Sequence, residues 1–217
     1  MAEDIRQVAE FRHIVLRDWG KLVLKQGELP SLIVEAEEEY LQAVSTTVER
    51  DTLVLRIGRK WLDVLKNTLE SNLQRQKVTY YLTVQSLEGL DVSGAARVSA
   101  ERLSGDAFSL RFGGAGEIAI SGFRYASLDV EMPGAGKLSI SGSVDRQQAM
   151  LSGAGSYLAG ELDCAEAAVE LRGIGKARVH VRERLSAVVR GVGTIEYSGE
   201  PEIDKTVTGL GQVRRVE

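Results

Sequence analysis

Cysteine is nearly absent: Cys164 stands alone in 217 residues. A single thiol excludes an intrachain disulfide and a multi-cysteine metal site. It follows Leu162-Asp163 in a strand-like stretch, so a small packed residue is the plain reading; a catalytic thiol would need a histidine beside it. Histidine is as sparse. His13 and His180 are far apart, which excludes a His-rich metal site and leaves His13 as a packed or surface residue of a strand. Prolines number three against 23 glycines. Glycine without proline argues against collagen and against a disordered linker, and for many tight turns. No run of about 18 apolar residues occurs, so nothing reads as a membrane-spanning helix. The opening residues, Met1-Ala2-Glu3-Asp4-Ile5-Arg6, have no apolar signal-peptide region. As written, the chain reads as soluble and cytoplasmic, or as exported to the cell envelope if a leader was trimmed. A net charge of −4 gives no reason to expect a specific nucleic-acid partner.

What is present is periodic. Gly-x-Gly or a close variant occurs at Gly94-Ala95-Ala96, Gly114-Ala115-Gly116, Gly134-Ala135-Gly136, Gly153-Ala154-Gly155, Gly173-Ile174-Gly175, Gly191-Val192-Gly193 and Gly209-Leu210-Gly211. The first glycines are 20, 20, 19, 20, 18 and 18 residues apart. The flanks repeat as well. Four and six residues after the glycine stand pairs such as Ile118 and Ile120, then Leu138 and Ile140. Six, four and two residues before it stand sets such as Phe108, Leu110 and Phe112, then Leu128, Val130 and Met132. Both flanks alternate with period two, the mark of strands with one buried face. One repeat cannot bury that face alone, whereas stacked repeats can. The pattern predicts an all-β, right-handed parallel β-solenoid of about seven coils of about 20 residues over 90–217.

Residues 1–89 are strand-rich but out of step with the repeat. Phe11–Leu16, Lys21–Lys25, Ser31–Ala36, Thr52–Ile57 and Val78–Val84 read as strands. This region is expected to begin or cap the solenoid. Between two of these strands, 61–73 reads as an amphipathic helix. Trp61, Leu62, Leu65, Leu69 and Leu73 share one face, a candidate docking surface for the solenoid end, another subunit or a membrane surface.

Chemistry is harder to find. Seven Gly-x-Gly turns are a structural period; a phosphate-binding loop needs one such turn opening a helix. Gly113-Gly114-Ala115-Gly116 partly matches calcium-binding nonapeptide repeats, but those need an Asp where Ile118 stands. No Gly-x-Ser-x-Gly elbow occurs. The densest carboxylate run, Glu35-Ala36-Glu37-Glu38-Glu39, reads as a solvated turn. One outward pattern is basic: Arg178, His180, Arg182 and Arg184 alternate with Val179, Val181 and Glu183. The stripe is either an aggregation-resistant surface or a small anion-binding site. No cofactor, metal or catalytic residue is expected.

The seven turns, the closing Tyr197-Ser198-Gly199-Glu200-Pro201 and Val207-Thr208-Gly209-Leu210-Gly211-Gln212-Val213 resemble the head GIN domain family, auto-transporter adhesins in description. Phe11-Arg12-His13-Ile14-Val15-Leu16, Gly20-Lys21-Leu22-Val23-Leu24-Lys25-Gln26-Gly27 and Leu32-Ile33-Val34-Glu35-Ala36 extend the resemblance over nearly the whole chain. It implies a β-helical fold, an adhesin-like role and relatives that are exported or lipid-anchored, with no catalytic residues. The resulting expectation is a non-catalytic interaction or scaffold protein, adhesin-like at the cell envelope, meeting a protein or a polysaccharide, or forming a homo-oligomer. Rival readings are a polysaccharide-active β-helix enzyme and a self-assembling cytoplasmic scaffold.

Overall fold

A computed structural model describes residues 1–58 and 78–217 of the chain. The expected helix at 61–73, with Trp61, Leu62, Leu65, Leu69 and Leu73, lies outside the described residues. The described residues are 75 % strand and 2 % helix and form a parallel β-solenoid of about six turns. Seven coils were expected from seven Gly-x-Gly motifs. The motifs mark coil openings, so seven of them bound six complete turns, and the last, at Gly209, opens only one further strand.

The regular coils are built from strands β9 (Ala95–Glu101) and β10 (Ser104–Phe112), then β11 (Ala115–Met132), β12 (Ala135–Leu151), β13 (Ala154–Leu171), β14 (Ile174–Val189), β15 (Val192–Ser198), β16 (Glu202–Val207) and β17 (Leu210–Arg215). All pair in parallel with their neighbouring coils, β16 and β17 on one side only. The ladders follow the sequence period. Val98, Ile118, Leu138, Tyr157, Ala177 and Ile195 stack in one buried row. Ile120 is paired with Ile140. Leu110, Val130, Ala149, Val169 and Ala187 form another row. Each fully buried aliphatic side chain in such rows contributes about 1.5–3 kcal/mol. In β11 the in–out alternation breaks at Ser121-Gly122 and again at Ala126-Ser127, where two successive residues face out. With the Gly-x-Gly turn, these breaks give each coil three corners.

The glycines are needed because coils touch there backbone to backbone. A Cβ on Gly114 would lie 1.8 Å from the carbonyl oxygen of Gly94. That same oxygen accepts a hydrogen bond from Ala115 N at 3.1 Å, so the turn cannot move away without losing the ladder. Gly116 adds a second demand, a φ of +123° that side chains rarely adopt.

The amino-terminal strands are β1 (Ala2–Arg6), β2 (His13–Leu16), β3 (Gly20–Gln26), β4 (Ser31–Ala36), the single helical turn α1 (Glu38–Leu41), β5 (Val44–Glu49), β6 (Thr52–Ile57), β7 (Thr79–Val84) and β8 (Gly89–Val92). Their order in space differs from their order in sequence. β2 lies between β6 and β8, and β3 lies between β7 and β9, all in parallel. The first coil of the chain is therefore inserted between two later ones. Asp18 takes the place of the glycine in this coil: its carbonyl oxygen lies under Gly94, and its Oδ2 accepts from Ile57 N at 2.7 Å. Beyond these coils the pairing turns antiparallel, β7 to β4 to β1 on one side and β6 to β5 on the other. Arg6 closes this end, donating from Nη1 to Val44 O at 2.7 Å and from Nη2 to Leu41 O at 3.0 Å. Antiparallel edges and the helical turn α1 block continued parallel stacking.

Candidate functional site

The strands that precede each glycine carry a concavity of the surface. Phe108, Leu110 and Phe112 point inward from β10, so the intervening Ser109 points out. One coil on, the residue paired with Ser109 is Asp129, followed by Gln148, Ala168 and Ser186. These exposed short or polar side chains floor a groove along the stacking direction, about 20 Å over four coil spacings. Its volume is about 1070 Å³. A second row at the neighbouring corner, Ser127, Arg146, Glu166 and Arg184, forms one wall. Arg12 and Glu88 close the amino-terminal end, paired at 2.7 Å.

The groove's chemistry is that of recognition. It offers hydroxyls, an amide, carboxylates and guanidinium groups, and no ionisable residue among those lining it is buried. Glu166 is engaged by Arg184 at 2.9 Å, and Asp106 and Asp129 are exposed. Beneath the floor, Gln147 interrupts the buried row of Phe108, Leu128, Ala167 and Leu185. Its Oε1 accepts a hydrogen bond from the buried Tyr157 hydroxyl at 2.7 Å, and burial raises that phenol's pKa. Cys164 is also buried. Its Sγ lies 2.9 Å from Glu166 O, and burial pushes the thiol's pKa up, the setting of an unreactive cysteine.

The basic stripe occupies β14. Arg178 donates from Nε to Glu196 Oε2 at 2.8 Å. His180 Nδ1 lies 2.9 Å from Ser198 Oγ. Arg182 pairs with Asp163 at 3.0 Å and Arg184 with Glu166 at 2.9 Å. Arg182, Glu183 and Arg184 are all exposed at a corner. Arg184 thus faces the groove, while Arg178 belongs to the adjoining side. Arg178 and His180 meet a carboxylate and a hydroxyl of the next coil, and Arg182 and Arg184 meet carboxylates of the preceding one.

Glu196 is the most connected of these partners and is only 1 % exposed. Lys176 Nζ and Arg178 Nη2 reach its Oε2 at 2.8 and 2.6 Å, and Arg214 Nη2 reaches Oε1 at 2.5 Å. The hydrogen bond from Lys176, aided by those from Arg178 and Arg214, outweighs burial and holds the carboxyl at about 2. The cluster joins β14, β15 and β17. Sequence reasoning missed both it and the groove. The available signal was the coil offset: Arg178, Glu196 and Arg214 are each 18 residues apart.

Among the described residues, no group of three or more His, Cys, Asp or Glu is placed to hold a metal ion. No helix among them is long and apolar enough to cross a membrane.

The sequence profile described as "Putative auto-transporter adhesin, head GIN domain" matches residues 10–201. No curated protein sequence matches the chain. Among solved structures, one described as a "putative adhesin" from Bacteroides fragilis NCTC 9343 superposes with a TM-score of 0.90 at 23 % identity, covering 99 % of this chain and 96 % of its own. A second "putative adhesin", from Parabacteroides merdae ATCC 43184, gives 0.69 at 17 % identity, covering 100 % and 96 %. A "putative lipid binding protein" from Parabacteroides distasonis ATCC 8503 gives 0.67 at 18 % identity, again covering 100 % and 96 %. At these identities the likeness is one of fold.

Proposed function

The chain belongs to the head GIN domain family, and on that premise we propose that it is a non-catalytic, adhesin-like binding protein of the cell envelope. It holds an extended polar polymer, a polysaccharide, in the groove across its coils. The observation that carries this reading is the floor of Ser109, Asp129, Gln148, Ala168 and Ser186. These five outward positions are in register from coil to coil. A repeating ligand needs repeating contacts, and a parallel solenoid supplies them at about 4.8 Å. The rigid ladder is ordered before binding, so little conformational entropy is lost on contact.

The rival enzyme reading has less support. A glycosidase needs two carboxyl groups facing across the scissile bond, one of them kept protonated by its surroundings. Here Glu88 and Glu166 are taken up by arginines, and Asp106 and Asp129 are open to solvent. The adhesin names of the family and of the similar structures support an exported or envelope location over the cytoplasmic one.

A glycan array probed with the labelled protein tests the reading, followed by chain-length analysis of whatever polysaccharide is retained. Retention of an extended glycan, recovered at its original length, is expected. Shortened products would support the enzyme, and an array without any retained glycan would contradict the polymer-binding reading.

A further inference from the structure

The middle residue of every Gly-x-Gly turn faces out. These residues form a ridge along one edge of the solenoid: Ala95, Ala115, Ala135 and Ala154, then Ile174, Val192 and Leu210. The change of residue type is abrupt. Four turns close with a methyl group, so the fold asks for nothing larger. The last three carry branched aliphatic side chains that are 64, 46 and 80 % exposed. Neighbouring coils pair Ile174 with Val192 and Val192 with Leu210, which makes the three side chains one continuous apolar strip.

Charge surrounds the strip unevenly. Arg172 and Arg190 lie two residues before Ile174 and Val192, and both pair with Glu170, at 2.8 and 2.9 Å. Lys176 lies two residues after Ile174, and with Arg178 and Arg214 it shares Glu196. Five cations thus share two carboxylates, in a chain whose net charge is −4. The excess positive charge is local to this edge.

We propose that this edge docks on an anionic lipid surface, with Ile174, Val192 and Leu210 entering the interface and Arg172, Arg190 and Lys176 meeting the headgroups. Convex aliphatic tips flanked by cations suit a bilayer interface, where apolar burial and attraction to anionic headgroups add. A peptide helix would need a groove at this place. A second copy of the same edge would bring like charges together.

The test is co-sedimentation of the full chain with vesicles of phosphatidylcholine and phosphatidylglycerol in equal parts, against vesicles of phosphatidylcholine alone. The protein should pellet with the anionic vesicles, less so as salt is added, and remain in solution with the neutral ones. The variant Ile174→Ala/Val192→Ala/Leu210→Ala gives the last turns the residue of the first four. It should keep the wild-type melting midpoint and lose about tenfold or more in bound fraction, because three apolar side chains no longer enter the interface. Arg172→Gln/Arg190→Gln should keep the ridge and lose part of the binding to anionic vesicles only. The proposal is overturned if wild type stays in solution with both vesicles or if the alanine variant pellets equally well. It is also overturned if wild type is a dimer that the alanine variant dissolves, which would assign the ridge to a second copy.

Discussion

Gly134 lies directly over Gly114: a Cβ added to Gly134 would stand 2.1 Å from the Gly114 carbonyl oxygen, which is already held by Ala135 N at 2.9 Å. Gly134→Ala should therefore force two coils apart. A loss of about 2 kcal/mol or more is expected, read as a fall in melting midpoint of roughly 5 °C. Gly113→Ala is the control. There a Cβ meets only Pro133 Cγ at 3.8 Å, and the change should stay within about 0.5 kcal/mol. Equal effects at the two positions would contradict backbone contact as the reason for the repeat.

The buried Tyr157–Gln147 bond gives a test of the polar step in the core. Tyr157→Phe leaves Gln147 Oε1 without its donor and should cost about 1–3 kcal/mol. Gln147→Leu alone should cost a similar amount by stranding the hydroxyl. The double variant should cost clearly less than the sum, because both polar groups are gone. Chemical denaturation of the four proteins measures the coupling, and strict additivity would show that the bond does not link the two coils.

The Glu196 cluster predicts an acid limb. Its folded-state pKa, about 2, lies below the ordinary carboxylate value of 4.5. The cluster's contribution is thus fully present above pH 4.5 and is lost as pH falls from there towards 2. Glu196→Gln should lower stability near neutral pH by roughly 1–3 kcal/mol, the half-exposed cations being partly screened by water. The gap from wild type should close towards pH 2. Thermal melts of both proteins between pH 2 and pH 7 check this, and a gap independent of pH would contradict it.

Melting in excess EDTA should coincide with melting in excess calcium, because a bound ion would stabilise the folded state by mass action. A difference of many degrees would reveal a site that the described residues do not form.

The regular coils were legible because their period is written several times over. Ile120 and Ile140 could be placed side by side from spacing alone, as could Leu110 and Val130. The turn count failed at the chain's last opening, where Gly209 has a strand after it but no return strand. The amino-terminal order was not legible. Which strand stacks on β2 is settled by tertiary contact, and all the candidates are short, apolar and alternating. Asp18-Trp19-Gly20 hides the turn of that coil, since Asp18 stands where the other coils have glycine. The site residues were overlooked because adjacency along the strand was read, as in Arg178, His180, Arg182 and Arg184. In a solenoid the physical neighbour is one coil away. At that offset Glu166 meets Arg184, Glu117 meets Lys137, and Ser109 leads to Asp129.

Calorimetric titration of a glycan retained by the protein, comparing wild type with Ala168→Trp/Ser186→Trp, tests the central claim most directly. Ala168 and Ser186 are exposed neighbours on the groove floor, so two indole rings should fill the channel without disturbing the core. The account predicts measurable binding by wild type and its loss in the variant, with unchanged melting midpoints. Equal binding by the two proteins would contradict it.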